Sequence, residues 1–301
     1  MRILITGATG QIGQELCLYV WPAGVEIVAA TRDQLDLGDA DTIEAFIENG
    51  GFDAVINPAA YTAVDKAESD LVTAWKVNAL AAAALAAATR KVGIPLLHVS
   101  TDYVFDGSKE TAYDESDPID PVGVYGASKA AGELAVRTGN PRHLILRTSW
   151  VFSRHGNNFV KTMLRLAADR PLLRVVDDQH GCPTPARDIA ATLATIALRM
   201  IADPNAPSGT YHFSNQGPVT WCGFAREIFR QRAEAGHPAP EVEGITTADY
   251  PTPAKRPANS VLNIGKLAAD YAIRPGFWTE ALKETLAELD QKKTTSGENI
   301  L

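Results

Sequence analysis

A tyrosine and a lysine four residues apart are the residues of this chain best placed to do chemistry. Tyr125 and Lys129 enclose the sequence Tyr-Gly-Ala-Ser-Lys. On a helix, residues four apart share one face, so a phenol and an ammonium would stand side by side. A fixed cation favours the phenolate and lowers the pKa of the phenol from its ordinary value of about 10. The pair therefore predicts a group that gives or takes a proton near neutral pH.

A glycine-rich turn near the start of the chain predicts a nucleotide partner for that tyrosine. Gly7, Gly10 and Gly13 are spaced three residues apart. They follow the predicted strand Arg2–Thr6 and open the predicted helix Ile12–Val20. Glycine permits the tight turn and lets the backbone approach a pyrophosphate, which the free N–H groups at the helix N-terminus can bind. In this context the turn favours a dinucleotide site over a plain glycine-capped turn.

The residues after the second and third predicted strands indicate where the rest of a dinucleotide would lie. Thr31 and Arg32 follow the second strand. An arginine there suits the 2′-phosphate of NADPH, whereas the adjacent Asp33 leaves NADH open. We expect Leu35–Leu37 near the adenine, with a helix-capping turn as the alternative. The small residues of Asn57–Thr62 leave the carboxyl end of the third strand, where open α/β sheets bind ligands.

Two polar residues stand at the end of the fourth predicted strand. Thr101 ends the run Leu96–Thr101, and Asp102 follows it. A hydroxyl in this position can hydrogen-bond a substrate carbonyl and polarise it for hydride attack. A local bond from the hydroxyl to the backbone is the alternative. Asp102 would either hold substrate hydroxyls or cap a turn.

Short β-rich runs alternate with helical patterns through the first half of the chain. The predicted strands there are Arg2–Thr6, Glu26–Thr31, Ala54–Ala60, Leu96–Thr101 and Leu144–Ser149. The alternation predicts an α/β fold, a Rossmann-type doubly wound parallel sheet with a smaller, mostly helical C-terminal region that binds substrate. The predicted domains are an NAD(P)-binding domain over residues 1–150 with 172–220 returning to it, a substrate-binding region over 151–171 and 221–290, and a flexible tail over 291–301.

Composition and charge narrow the classes of protein to consider. The net charge is −8 and no run is rich in Lys and Arg, which argues against nucleic-acid and anionic-membrane partners. The first apolar stretch is too short for a signal sequence, and the apolar run Ala79–Ala88 is too short for a membrane span. The three widely spaced cysteines suit neither a disulfide framework nor a zinc site. We expect a soluble cytoplasmic protein.

These motifs, taken in order, resemble the extended short-chain dehydrogenases/reductases, and within that superfamily the dTDP-4-dehydrorhamnose reductases. The matching stretches span nearly the whole chain and are Gly7–Gly13, Ala59–Glu68, Ser100–Phe105, Tyr125–Lys129, Arg147–Val151, Gly156–Phe159 and Tyr250–Asn259. The resemblance implies NAD(P)H-dependent reduction of the C4 keto group of dTDP-4-dehydrorhamnose, a dTDP-4-keto-6-deoxy-L-sugar. The product would be dTDP-L-rhamnose, which serves cell-surface polysaccharide biosynthesis.

The resemblance, together with the turn and strand-end arguments, also predicts the residues of the site. The expected catalytic set is Thr101, Tyr125 and Lys129. The expected contacts to NADPH, with NADH also open, are Gly7, Gly10, Gln11, Ile12, Gly13, Thr31, Arg32, Asp36, Leu37, Ala59, Ala60, Tyr61, Thr62, Tyr125 and Lys129. The expected contacts to the dTDP-sugar are Thr101, Asp102, Trp150 and Arg256.

The resemblance assigns a role to each of these side chains. Tyr125 would protonate the carbonyl oxygen, which Thr101 orients. Lys129 would lower the pKa of the phenol and bond the nicotinamide ribose. Trp150 would offer a flat apolar wall to the sugar or the base, or else pack in the core. Arg256, on a proline-rich segment, would meet the diphosphate, or else belong to a solvated surface pair.

Some features leave alternatives open. Asn78 resembles a helix asparagine that organises the site in this superfamily, or is a polar residue of the core. Some relatives dimerise through a magnesium ion held by paired acids; Glu15 is present, but Ala186–Asp188 offers one acid beside an arginine, so we predict no metal. Whether the protein forms a homodimer stays open.

Two rival functions also stay open. One is a nucleotide-sugar epimerase or dehydratase on the same scaffold, and the other is a non-catalytic regulatory subunit.

Overall fold

The central sheet is parallel, and helices cover both of its faces. The computed structural model describes residues 1–296, and residues 297–301, the end of the predicted tail, lie outside the described residues. The strands are β1 (Arg2–Ile5), β2 (Glu26–Ala29), β3 (Ala54–Asn57), β4 (Leu96–Thr101), β5 (His143–Thr148), β6 (Val151–Phe152), β7 (Leu172–Val176), β8 (His180–Gly181), β9 (Thr184–Pro185), β10 (Gly209–His212), β11 (Val219–Thr220) and β12 (Glu241–Ile245).

The helices follow the strands in alternation through the first half of the chain. They are α1 (Gln11–Leu18), α2 (Ala40–Gly50), α3 (Val64–Ala67), α4 (Leu71–Trp75), α5 (Ala81–Lys91), α6 (Val124–Gly139), α7 (Phe159–Ala167), α8 (Ala186–Ala202), α9 (Trp221–Glu234), α10 (Gly265–Tyr271) and α11 (Trp278–Ser296). A π-helical turn, Lys76–Leu80, joins α4 to α5.

The order of the strands creates a crevice at one point of the sheet. Six strands pair in the order β10-β5-β4-β3-β1-β2, and every neighbouring pair is parallel. The chain runs from β1 outward to β2 on one side and then from β3 outward on the other. Connections therefore leave β1 and β3 in opposite directions, and a ligand can enter between their carboxyl ends. This doubly wound sheet confirms the predicted fold class.

Alternating apolar side chains along the strands build a core on each face of the sheet. Ile3 and Ile5 of β1 pack with Leu16 of α1 on one face, where α8 also packs. Leu4 lies on the other face with Ile43 of α2 and residues of α5. All of these side chains are fully buried, and each contributes about 1.5–3 kcal/mol relative to an exposed position. Because both faces are covered, the open edge at the carboxyl ends is where a small molecule can reach the sheet.

The C-terminal region has a third apolar core of its own. Strands β7 and β12 pair in parallel beside α9, and α7 and α11 complete the cluster around Phe224, Trp278 and Leu282. The segment between these parts returns to the central sheet, because β10 pairs with β5 and α8 packs against α1. The two regions thus face each other along the carboxyl edge of the sheet.

One helical stretch is long and apolar enough to be compared with a membrane span. By length and composition, Leu71–Lys91 could cross a membrane, and 44% of its most apolar window is buried inside the protein. Its second half, α5, packs between α2 and α6. The apolar residues of α5 are therefore accounted for by the core on that face of the sheet.

Candidate active site

A cavity of about 940 Å³ opens at the carboxyl ends of the strands, where the connections that leave β1 and β3 diverge. This volume lies at the upper end of the roughly 300–1,000 Å³ of ordinary small-molecule sites. The predicted site residues that line it are Gly7, Gly10, Gln11, Ile12, Gly13, Thr31, Arg32, Asp36, Leu37, Ala59, Ala60, Tyr61, Thr62, Thr101, Asp102, Tyr125, Lys129 and Trp150. Residues predicted from distant parts of the sequence thus share one cleft.

The glycine turn forms one end of the cavity and leaves no room for side chains. Gly7 has a φ of +56°, which favours glycine, and its carbonyl accepts a hydrogen bond from Gly10 N at 2.9 Å. A Cβ atom on Gly13 would lie 2.2 Å from the Gly7 carbonyl oxygen. Helix α1 then begins without a side-chain cap, so its first N–H groups are available to an anion. This backbone cradle fits the pyrophosphate of a dinucleotide.

The rim beyond the turn consists of exposed polar residues. The Thr31 hydroxyl donates to Gln34 Oε1 at 3.1 Å. Arg32 Nε lies 3.8 Å from Asp36 Oδ1, and the arginine side chain is 86% exposed. Asp36 also accepts a bond from Gly38 N at 2.9 Å, so it caps a turn as well as lining the cavity. Arg32 is therefore free to turn towards a phosphate with little cost in burial or contacts.

Asn78 holds the part of the cleft that lies between the segment after β3 and helix α6. It lies in the π-helical turn and is fully buried. Its Oδ1 accepts from Tyr61 N at 2.8 Å, and its Nδ2 donates to the Tyr61 carbonyl at 3.2 Å and to Ser128 Oγ at 2.9 Å. The asparagine thereby ties the segment after β3 to helix α6. This arrangement gives Asn78 an organising place beside the site and also satisfies it as a polar residue of the core.

Thr101, Asp102 and Tyr125 come together at the inner end of the cavity. The Thr101 hydroxyl donates to Asp102 Oδ1 at 2.9 Å and accepts from Tyr103 N at 3.2 Å. Burial raises the pKa of Tyr125 to about 12, although a hydrogen bond with Thr101 lowers it in part. Burial likewise raises the pKa of Asp102 to about 6, against the hydrogen bonds from Ser260 and Thr101. With a pKa of about 12, the Tyr125 phenol is protonated at neutral pH.

Lys129 lies deep below the tyrosine on the same helix, with 1% of the residue exposed. Its Nζ donates to the Val99 carbonyl at 2.7 Å and lies 3.3 Å from His98 Nε2. Burial lowers the pKa of Lys129 to about 8, and the negative charge of Glu133 partly opposes that shift. The expectation of a Tyr125 pKa near neutrality is wrong for this structure, because burial and the negative charge of Asp102 raise that pKa and the hydrogen bond with Thr101 opposes them only in part.

Trp150 forms a flat wall on the substrate side. Its φ of +49° is rare for a residue with a side chain, and its ring stacks on Trp221 with centroids 3.5 Å apart. A Cβ atom on Gly181 would lie 2.4 Å from the indole, so a glycine is needed behind it. The surrounding structure thus holds the Trp150 backbone in a strained conformation while the residue lines the cavity. The indole packs on Trp221, and its contact with a sugar or base stays a prediction.

Arg256 is the predicted residue that does not line the cavity within residues 1–296. Its Nη2 lies 2.9 Å from Asp65 Oδ2, and its Nη1 lies 3.2 Å from Asp65 Oδ1. The neighbours of that aspartate, Val64 and Lys66, do line the cavity. The guanidinium therefore binds helix α3, whose other residues contribute to the wall, and joins the C-terminal region to that helix.

Sequence reasoning missed the wall that α3 and α4 contribute. Lys66, Asp70 and Thr73 line the cavity there. It also missed two buried hydroxyl oxygens in the lining, Ser100 Oγ and Thr148 Oγ1, which have no hydrogen-bond partner among the described residues. Unpaired hydroxyls of this kind fit a polar ligand. The signal available for them was their place at the carboxyl ends of β4 and β5.

The region around Glu15, for which no metal is predicted, contains cationic side chains. Glu15 Oε1 lies 3.3 Å from His155 Nε2. Burial raises the pKa of Glu15, while Arg154 and Arg187 lower it. Within the part of the chain that the structure describes, no group of three or more His, Cys, Asp and Glu side chains is placed to hold a metal ion.

Comparisons with known proteins agree over almost the whole chain. The family model described as RmlD substrate binding domain matches residues 1–291. A protein of Sinorhizobium fredii named dTDP-4-dehydrorhamnose reductase is 46% identical over 284 residues, which cover 94% of this chain and 96% of that protein. The crystal structure of a dTDP-4-dehydrorhamnose reductase from Clostridium acetobutylicum has a TM-score of 0.88 at 38% identity and covers 96% of this chain and 100% of its own. The enzyme of the same name from Bacillus anthracis, solved in complex with NADP, has a TM-score of 0.88 at 35% identity, with 95% and 99% covered.

Proposed function

The chain belongs to the family of the RmlD substrate binding domain model, that of the dTDP-4-dehydrorhamnose reductases, and we propose that it reduces the C4 keto group of dTDP-4-dehydrorhamnose with NADPH. The product is dTDP-L-rhamnose. One observation carries the proposal beyond the family name. The glycine turn and the Thr101–Tyr125–Lys129 group lie in the same cavity, so a reduced dinucleotide and a carbonyl can meet there.

The residues present fit a dinucleotide along the length of the cleft. The first N–H groups of α1, at Gln11 and Ile12, would hold the pyrophosphate. Thr31 and Arg32 at the rim would meet the 2′-phosphate of the adenosine. The unpaired Ser100 and Thr148 hydroxyls offer hydrogen bonds near the inner end. NADPH, when bound, supplies the hydride for the reaction.

Tyr125 supplies the proton. Because the pKa of this phenol is about 12, it enters the reaction protonated. When the carbonyl carbon accepts a hydride, the carbonyl oxygen becomes an alkoxide, which is more basic than a phenolate, so the proton passes to it downhill. The raised pKa therefore suits a proton donor in a reduction. Thr101, held by Asp102 and bonded to the phenol, orients the carbonyl oxygen towards Tyr125.

The substrate side of the cavity has the groups that a sugar nucleotide needs. Trp150 presents an apolar face to the sugar or the base. Lys66 in the wall and Arg256 behind it provide positive charge for a diphosphate, which a protein of net charge −8 must supply locally. The domain bounds stay a prediction, with residues 1–150 and 172–220 for the cofactor and 151–171 and 221–290 for the substrate. Lys66 and Trp150 would serve the substrate from the first of these parts.

The cellular location and the partners of the enzyme are expectations from its sequence. We expect it to work in the cytoplasm on a dTDP-sugar, without nucleic-acid or membrane partners. A homodimer remains a prediction, and light scattering of the purified protein would test it.

The experiment is an assay of net reduction by the purified protein. We expect loss of NADPH absorbance when dTDP-4-dehydrorhamnose is added, and no loss with dTDP-glucose, which has no keto group at C4. Denaturing the protein as purified should release little NAD. Stoichiometric NAD without net NADPH oxidation would instead indicate an epimerase or dehydratase on this scaffold. No turnover by a correctly folded wild type would favour a non-catalytic subunit.

A further inference from the structure

Lys129 is the end of a buried chain of polar side chains that starts beside the glycine turn. Thr6 Oγ1 lies 2.5 Å from Asn57 Oδ1, and Asn57 Nδ2 lies 2.8 Å from His98 Nδ1. His98 Nε2 lies 3.3 Å from Lys129 Nζ. Each of the four residues is 1% exposed. The chain crosses the sheet below the cavity, from the end of β1 through β3 and β4 to helix α6.

The imidazole in the middle of this chain forces a choice of direction. Burial and the charge of Lys129 hold the pKa of His98 well below its usual value, so the ring is neutral and has one N–H donor and one acceptor. An ammonium on Lys129 can only donate, so Nε2 must accept and Nδ1 must carry the proton. Asn57 must then turn its amide oxygen to His98 and its amide nitrogen to Thr6. A half-turn of the amide exchanges these two atoms with almost no change in their positions.

The opposite direction, in which the Asn57 amide keeps the orientation given above, fits a neutral amine. In that arrangement His98 Nε2 carries the proton and donates to Nζ, Asn57 donates to Nδ1, and Thr6 donates to the amide oxygen. The two directions of the chain thus correspond to the two charge states of Lys129. The Thr6 hydroxyl and the Asn57 amide can serve either direction, and the tautomer of His98 decides whether Nε2 can accept a hydrogen bond from an ammonium.

We propose that His98 is a positioning residue for Lys129: with the Asn57 amide turned so that its oxygen accepts from Nδ1–H, His98 Nε2 accepts a hydrogen bond from the ammonium. This inference rests on the proposed function, in which a charged Lys129 serves the reaction. An ammonium has three donors, and the Val99 carbonyl and His98 take two of them. The third is left for the cavity, which Lys129 lines. The histidine therefore sets both the place and the direction of the catalytic amine.

Two amide substitutions separate this role from packing in the core. In His98→Gln the amide reaches the position of Nε2 and can still accept from Lys129. In His98→Asn the shorter amide reaches the position of Nδ1 and can still satisfy Asn57, but it leaves Lys129 without that partner. We expect His98→Gln to keep kcat within about threefold of wild type and His98→Asn to lose about tenfold to a hundredfold, with KM for the keto-sugar little changed in both. Equal losses, no loss, or a larger loss in His98→Gln would overturn the proposal.

A second measurement needs no turnover and no variant that folds poorly. Long-range proton–nitrogen correlation spectra of the unliganded wild type report the tautomer of each of the six histidines. The spectra are recorded at about pH 6.5, where Lys129, whose pKa is about 8, carries its charge. We expect the Nδ1–H form for His98, assigned by the signal missing from His98→Gln or, if that variant does not fold, by a through-space contact to Val99. An Nε2–H form would overturn the proposal. Wild-type turnover, measured first, tests the proposed function separately.

Discussion

The two ends of the cleft are built in opposite ways. At the inner end, Thr101, Asp102 and Lys129 are at most 5% exposed, and their hydrogen bonds run to other buried groups. At the outer rim, the side chains of Arg32 and Asp36 are 86% and 50% exposed, and the distance between them is 3.8 Å. Charges interact strongly in a poorly solvated pocket and weakly at a wetted surface. The chemistry should therefore depend steeply on single atoms at the inner end, and cofactor choice should depend shallowly on side chains at the rim.

Removal of the Tyr125 hydroxyl is the strongest test of this contrast. We expect Tyr125→Phe to lower kcat by about a thousandfold, because the general acid is lost while the ring remains. The affinity for NADPH, measured by fluorescence titration of the variant, should stay close to that of wild type. Tyr19→Phe is a matched control, because Tyr19 packs edge-on against Trp21 and is not part of the cavity lining among residues 1–296.

Near-normal turnover by Tyr125→Phe would remove the proton donor from the inner end. The contrast between the two ends would then have no chemical meaning, because the sensitive end would be sensitive for packing reasons alone. A loss of NADPH affinity together with kcat would also count against the assigned role.

The charge on Lys129 gives the inner end a signature in pH. Burial lowers the pKa of this amine to about 8, so the ammonium is present below that pH and is lost as pH rises through it. We expect kcat of the wild type to fall as pH rises through about 8, while Tyr125, whose pKa is about 12, remains protonated. Lys129→Met should lower kcat by about a hundredfold and abolish the fall, which moves the optimum to higher pH. The measurement is a pH profile of kcat for both proteins.

An unchanged profile in Lys129→Met would mean that another group controls the basic limb. Glu133 is the charged group that opposes the shift at Lys129, but it is committed to Arg147 by bonds of 2.9 and 2.7 Å. The histidine beside the amine stays neutral through this range, because burial and Lys129 hold its pKa low.

The sequence predicted which residues share the cavity better than it predicted the pKa shifts there. Gly7, Gly13, Tyr125 and Lys129 could be recognised because the turn and the helix spacing are local properties, and local spacing survives folding. The direction of the Tyr125 pKa shift could not, because it depends on how much protein covers the phenol. That coverage is set by the packing of α6 against the rest of the fold, which no short stretch records.

Long-range pairs and short strands escaped for a related reason. Arg256 and Asp65 are 191 residues apart, and nothing near either one names its partner. Strands of two residues, such as β8 and β11, are too short to show an alternating pattern, and they exist because the partner strand is present. The Thr6–Asn57–His98 chain was equally invisible, since its members sit singly after β1, at the end of β3 and within β4.

The smallest expected effect lies at the rim. It tests whether an exposed rim side chain affects only the binding of the cofactor or also the chemical step at the inner end. Arg32→Ala should raise KM for NADPH about tenfold, the value of one exposed charged hydrogen bond, and leave KM for NADH nearly unchanged, because NADH has no 2′-phosphate. Arg90→Ala is the control, an exposed arginine that is not in the cavity lining within residues 1–296. Equal effects on both cofactors would show that Arg32 acts on the shape of the rim through Asp36. A loss in kcat as large as that of Lys129→Met would erase the distinction between the ends, because a side chain that is 86% exposed would then control the chemistry itself.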